Sequence, residues 1–145
     1  MTPTTHSGER DSAGLVILDR EECLRLLSRA PAGRLVFTER ALPAIRPVNF
    51  VVHDGAIIIR SSEGEKLTAA ADGAVVAFEA DEIDVAARTG WSVIVVGQAA
   101  VVTDAGSVAK LSALPLVSWA PSSRDRFIRV DVTHVTGRRA VPATR

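Results

Sequence analysis

The heptapeptide Arg60-Ser61-Ser62-Glu63-Gly64-Glu65-Lys66 holds the residue types best suited to meeting an anion. It follows the apolar run Ala56-Ile57-Ile58-Ile59 and precedes good helix formers, Leu67 to Ala71. A strand that hands a Ser/Gly loop to a helix start can offer a phosphate three things: backbone N–H groups, hydroxyls, and the cations Arg60 and Lys66. An ordinary β-to-α connection with solvated charges uses the same residues, and Glu63 and Glu65 place negative charge beside any such phosphate. The spacing alone leaves both readings open.

Elsewhere the reactive residue types are dispersed. His6, His53 and His134 are scattered, and Cys23 is the only cysteine, so no His/Cys metal site and no intrachain disulfide is expected. Neither G-x-G-x-x-G nor G-x-x-x-x-G-K-[ST] occurs. Gly90-Trp91-Ser92 starts like a nucleophile elbow but runs on into Val93-Ile94, a strand rather than a helix. Asp81, Glu82 and Asp84 form an acidic cluster, readable as a solvated strand end or as a metal role.

These residues depend on the elements around them. Asp19 with Glu22 three residues on makes a capping-box pattern, and Cys23, Leu26, Leu27 and Ala30 repeat with helical spacing until Pro31 and Gly33 end the helix. Cys23 on that apolar face reads as a buried thiol. Strands are predicted at Gly33 to Thr38, Ala44 to Val52, Ala56 to Arg60, Ala74 to Glu82, Gly90 to Thr103 and Phe127 to Val135. Pro47 implies an edge, a bulge or a ligand-facing backbone, Asp54-Gly55 a tight hairpin, and Gly97 a bulge or bend where a sheet curls. Short helices are expected at Glu65 to Ala71 and Asp104 to Ala113. About six strands joined mostly by short turns, without βαβ alternation, indicate a mainly β fold: an antiparallel barrel with a few short helices.

The 145 residues suffice for one domain with a core, and 47% apolar against 23% charged residues describe a globular chain. A formal net charge of zero argues against a general nucleic-acid binder, with the Arg-rich end (Arg124, Arg126, Arg129, Arg138, Arg139, Arg145) read first as a solvated rim. No apolar run approaches the roughly 18–20 residues of a membrane helix, no signal-peptide core is evident, and a cytoplasmic protein is expected.

Helix, Gly-Arg-Leu strand, Arg-Pro-Val-Asn-Phe strand, Asp-Gly hairpin, Ile-Arg-Ser-Ser-x-Gly-x-Lys loop, acidic strand and Gly-Trp-Ser-Val-x-Val-x-Gly follow one another in this chain. In that order they resemble the pyridoxamine 5'-phosphate oxidase-like, FMN-binding split-barrel family, over roughly Leu18 to Arg139. The short actinobacterial and nitroimidazole-resistance-like members are the nearer likeness. The resemblance implies a six-stranded split barrel, a homodimer, and FMN at the subunit interface with two sites per dimer. Residues 1–14, polar, rich in Thr and Ser and without periodicity, read as a disordered leader, followed by the FMN-binding domain (15–140) and a tail (141–145). The resemblance places Lys66 at the phosphate, Ile59, Arg60 and Ser61 beside the phosphate and ribityl chain, and Arg46, Pro47, Val48 and Asn49 beside the ring and ribityl groups. Ser92 falls where the true oxidases have a flavin-contacting glutamine, with Trp91 adjacent, as flavin wall or as plain barrel core. Val51 and Glu65 stand where those oxidases have a lysine and an arginine, and their C-terminal arginine–histidine signature is absent, so pyridoxamine phosphate oxidation is not expected. What remains is a flavin-dependent oxidoreductase of unassigned small-molecule substrate, with a nicotinamide as possible donor. The alternatives are a deazaflavin protein, or a non-catalytic dimer that sequesters flavin, deazaflavin or haem or has no ligand. A regulatory dimer that meets a partner through its Arg-rich end is a third. No nucleic acid, membrane or metal is expected.

Overall fold

A computed structural model describes residues 8–61, 64–117 and 125–142, without the side chains of 64–66. Eight strands and three helices occur among these residues: β1 (Val16–Leu18), α1 (Arg20–Leu27), β2 (Gly33–Glu39), β3 (Leu42–His53), β4 (Ala56–Ser61), α2 (Gly64–Ala71), β5 (Val75–Asp84), β6 (Thr89–Val102), α3 (Ala105–Ser112), β7 (Arg126–Asp131) and β8 (His134–Ala140). All the pairings are antiparallel. The order β6-β5-β2-β3-β4-β7 closes through β6–β7 into a ring of six, and β8 and β1 extend from β6. The expected mainly β barrel is what the chain forms.

Closure depends on local chemistry. Asp54 and Gly55 both have positive φ (49° and 72°), the primed turn that matches the twist of β3 and β4. The Asp19 carboxylate accepts the Glu22 N–H at 2.8 Å and starts α1, whose Cys23, Leu26 and Leu27 are buried in the core. That core fills the ring with inward residues of successive strands, among them Leu35, Phe37, Phe50, Ile57, Ile59, Phe78, Val93, Val95 and Ile128. The Phe50 and Phe78 rings meet edge to face at 4.6 Å. A second cluster (Ile58, Leu111, Leu116, Phe127) lies where α3 and the chain after it pack on β4 and β7, with Val51 and Val102 against it.

Two strands change partners part-way along. β6 pairs with β8 over Gly90 to Val96 and with β7 over Ala99 to Val102. Val130 opposes Ala99 and His134 opposes Val96, so Asp131, Val132 and Thr133 face only Gly97 and Gln98. This is a one-residue β-bulge. A Cβ on Gly97 would run into the Asp131 carbonyl, which is why the position has none. The predicted last strand, Phe127 to Val135, is therefore the start of a longer one that bends at the bulge and continues to Ala140 as β8. The chain is not released after Val135: Gly137 pairs with Val93 on one side and Leu18 on the other. β3 pairs with β2 over Leu42 to Val48 and with β4 over Asn49 to His53. These neighbours lie on opposite edges in the strand order, and the ring is split at this step.

The expected leader starts folding earlier than residue 15. Arg10 bridges Val16, the Ile17 N–H reaches Glu9 O at 2.7 Å, and Asp11 pairs with Arg138 at 3.1 Å. His6 lies outside the described residues, as do Trp119 and the rest of 118–124.

Candidate functional site

The step in β3 collects most of the predicted site residues. Arg46, Pro47, Val48 and Asn49 straddle it. Asn49 pairs with Arg60 and Phe50 with Ile59, so the end of β4 lies alongside. Only two residues separate Ser61 from α2, which puts Lys66 in that helix's first turn, at the same end of the barrel. Pro47 is tolerated because this half of β3 has β2 on one edge and no described strand on the other.

The side chains differ in what they can offer. Val48 and Ile59 are core residues and present only backbone to this region. The Arg46 guanidinium lies 5.8 Å from the Phe37 ring centroid, and its Nη1 donates to Ile45 O at 3.0 Å. Ser61 is buried. Arg60 is engaged within the chain: Nε meets Asp125 Oδ2 at 3.0 Å, Nη1 donates to Leu116 O at 3.1 Å, and the group stacks 5.3 Å from the Phe127 centroid. Asn49 Nδ2 donates to Val117 O at 2.6 Å. Arg60 and Asn49 thus hold the segment that follows α3 against the barrel. Val51, where the true oxidases have a lysine, packs against the apolar cluster under that segment.

Asp125, Leu116 and Val117 are the members that sequence reasoning missed. The available signal was Asp125 as the single acid between Arg124 and Arg126, an obvious ion-pair partner without an obvious destination.

Trp91 and Ser92 stand apart from this group. Both lie in the first half of β6, with β5 and β2 intervening before β3. Trp91 turns inward, 7% exposed, and its Nε1 donates to Glu82 Oε2 at 3.1 Å. It lines a cleft of about 630 Å³ between α1, the β5–β6 hairpin and the end of β8. Ser92 pairs with Asp81 and Arg138. The acidic cluster is spread over separate tasks: Asp81 lies 3.4 Å from Arg34, Glu82 holds the indole, and Asp84 accepts the Ala87 N–H at 2.9 Å. Among the described residues no group of His, Cys, Asp and Glu is arranged to hold a metal ion.

Cys23 and Glu79 are among the titrating groups displaced from their usual range. Burial pushes the Cys23 thiol up, with Asp19 and Glu22 adding to it, so the sulfur is held as an unreactive thiol. Burial also raises Glu79, followed by the adjoining Asp81, with Arg34 at 2.7 Å opposing both.

A ring of antiparallel strands split at one step, with a short helix starting beside the split, defines a split-barrel protein. Comparison with known sequences makes that more specific. The family profile described as pyridoxamine 5'-phosphate oxidase matches residues 19–139. The chain belongs to that family. It is 44% identical over 151 aligned positions to the uncharacterized protein Rv0080 of Mycobacterium tuberculosis, covering 100% of this chain and 99% of that one. Among solved structures it is similar to a FAD-binding protein from Mycobacterium smegmatis (39% identity, TM-score 0.77, 88% of this chain and 100% of the other). A FAD-binding protein from Mesorhizobium loti shares the fold at 22% identity (TM-score 0.71, 88% and 99% coverage).

Proposed function

We propose that this chain binds a flavin at the step in β3, between Arg46 to Asn49, the end of β4 from Ile59 to Ser61, and the first turn of α2 with Lys66. The observation that carries the reading is the likeness at 39% identity to a structure described as FAD-binding over nearly the whole fold. The residues present fit such a group. The open edge of β3 leaves backbone groups for a flat ring, and the start of α2 supplies N–H donors and positive potential for a phosphate. Arg60 and Asn49 act by holding the wall of the site, through Leu116, Val117 and Asp125. FMN is the cofactor we favour; FAD is the second reading, supported by the description of the M. smegmatis protein.

Bound flavin would supply hydride chemistry, and the protein would supply binding and orientation. An oxidoreductase with a small organic substrate and a nicotinamide donor follows, since the site needs no acid–base residue of its own. A homodimer belongs to the same proposal. The outward row Ile45, Val36, Ala77 and Val96 crosses four strands, and the next row has Pro47 and Ile94 at its ends with the Arg34–Glu79 ion pair between them. Ile45 is 58% exposed and Ile94 45% exposed, an apolar surface suited to a second copy. No helix among the described residues is long and apolar enough to cross a membrane. The direct test is the absorbance spectrum of the purified chain followed by titration with FMN and with FAD. Saturable binding of either supports the reading, and binding of neither ends it.

A further inference from the structure

The cleft beside Trp91 has a volume of about 630 Å³, within the range of small-molecule sites. Its two walls differ in charge. Arg29 and Arg139 line the side built from the end of α1 and β8, with Leu26 between them and the interior. Glu82 and Asp84 line the β5–β6 hairpin side, and Trp91 forms the inner surface.

Most of these charges are already engaged. Glu82 accepts the indole N–H at 3.1 Å and fixes the ring in place. Asp84 accepts the Ala87 N–H at 2.9 Å, and Arg139 Nη2 meets Glu22 Oε1 at 3.2 Å. Arg29 is exposed and its side chain has no hydrogen bond or ion pair among the described residues. Trp91 is a core residue that shows the cleft only a narrow, fixed strip of its indole. That strip, with one uncommitted cation at the rim, suits the edge of a flat ring carrying a negative charge, since the ring leaves water and the anion gains a partner. The carboxylates opposite favour N–H or O–H donors on the far edge of the same molecule.

We propose that this cleft is a binding site for a planar aromatic molecule bearing an anionic group, with its ring against Trp91 and its anion at Arg29. Within one chain the cleft stands apart from the proposed flavin site, because two strands intervene between β6 and β3, and it is argued independently of that reading. The probe is 2-naphthalenesulfonate, added to ¹⁵N-labelled full-length protein, with the neutral 2-naphthalenemethanol as its uncharged counterpart. The Trp91 indole N–H resonance, assigned through Trp91→Phe, should move saturably with the sulfonate and only weakly with the alcohol. Arg29 is exposed, so Arg29→Ala should fold, and it should weaken sulfonate binding by about fivefold or more while Arg29→Lys restores part of it. No movement of the Trp91 resonance at millimolar probe, or equal affinity in Arg29→Ala, overturns the proposal. FMN that displaces the probe and moves the same resonance also overturns it, since the cleft would then be part of the flavin site. Protein that binds the probe but no flavin leaves this proposal standing while the flavin reading falls.

Discussion

At Arg60 three contacts converge: the Asp125 carboxylate, the Leu116 carbonyl and the Phe127 ring. The Asp125 side chain is only 8% exposed, so its guanidinium partner matters more than a surface one would. Arg60→Ala should lower stability by about 1–3 kcal/mol in urea denaturation. If its role is to hold the wall, flavin affinity should follow that loss; a far larger drop in FMN affinity with unchanged stability would instead put Arg60 on the phosphate. Glu79 offers a test in pH. Its proton is held more tightly in the folded chain than the usual carboxylate value allows, because burial and Asp81 outweigh Arg34. The folded state therefore binds a proton that the unfolded state gives up, and this group favours folding as pH falls through its folded pKa and opposes it above. Glu79→Gln should flatten the stability profile in the range just above the ordinary carboxylate value, measured by thermal unfolding in a buffer series. Asp11 has the opposite sign. Lowered first by the Leu15 N–H, and helped by those of Ala13 and Arg138 against some burial, it stabilises above the ordinary carboxylate value and ceases to do so in strong acid.

At the scale of elements, what could be read from the chain was what is encoded locally. Asp19 and Glu22 lie three residues apart, and the cap they announce forms. Asp54-Gly55 needs only its own dihedrals to define a hairpin. Gly97 signalled a bulge, though the extra residue lies on the facing strand, at Asp131 to Thr133. β8 was missed because His134-Val135-Thr136-Gly137-Arg138-Arg139 has only Gly137 buried, and so carries no apolar alternation to read. The step in β3 was equally hidden: which edge β2 and β4 take is decided by pairing across the sheet. Gly97→Ala tests the element account. Its methyl would press on the Asp131 carbonyl at the bulge, and a loss of about 2–3 kcal/mol or outright failure to accumulate folded protein is expected by circular dichroism. An unchanged melting temperature would mean that the bulge can relax cheaply.

At the scale of the whole molecule, the candidate site was half legible. Arg46 to Asn49, Ile59 to Ser61 and Lys66 were grouped by the family resemblance, and the fold brings them to one step in the barrel. The contacts that close that region were not legible, since Asn49 and Val117 lie 68 positions apart and Arg60 and Asp125 lie 65 apart. Trp91 and Ser92 were grouped with the others, yet in one chain they occupy a different part of the sheet. The outward apolar row through Ile45 belongs to this scale as well. If the proposed dimer forms through this row, Ile45→Asp should give a monomer by light scattering while the barrel stays folded, because Ile45 is 58% exposed within a single chain. A wild-type chain that is already monomeric at high concentration would remove the dimer from the account.

The flavin itself is the most direct test. Purified chain should show flavin absorbance, or bind added FMN or FAD saturably with one flavin per chain, and Lys66→Ala should weaken that binding by roughly tenfold or more. Wild-type protein that stays colourless and binds neither flavin at millimolar concentration would contradict the central claim.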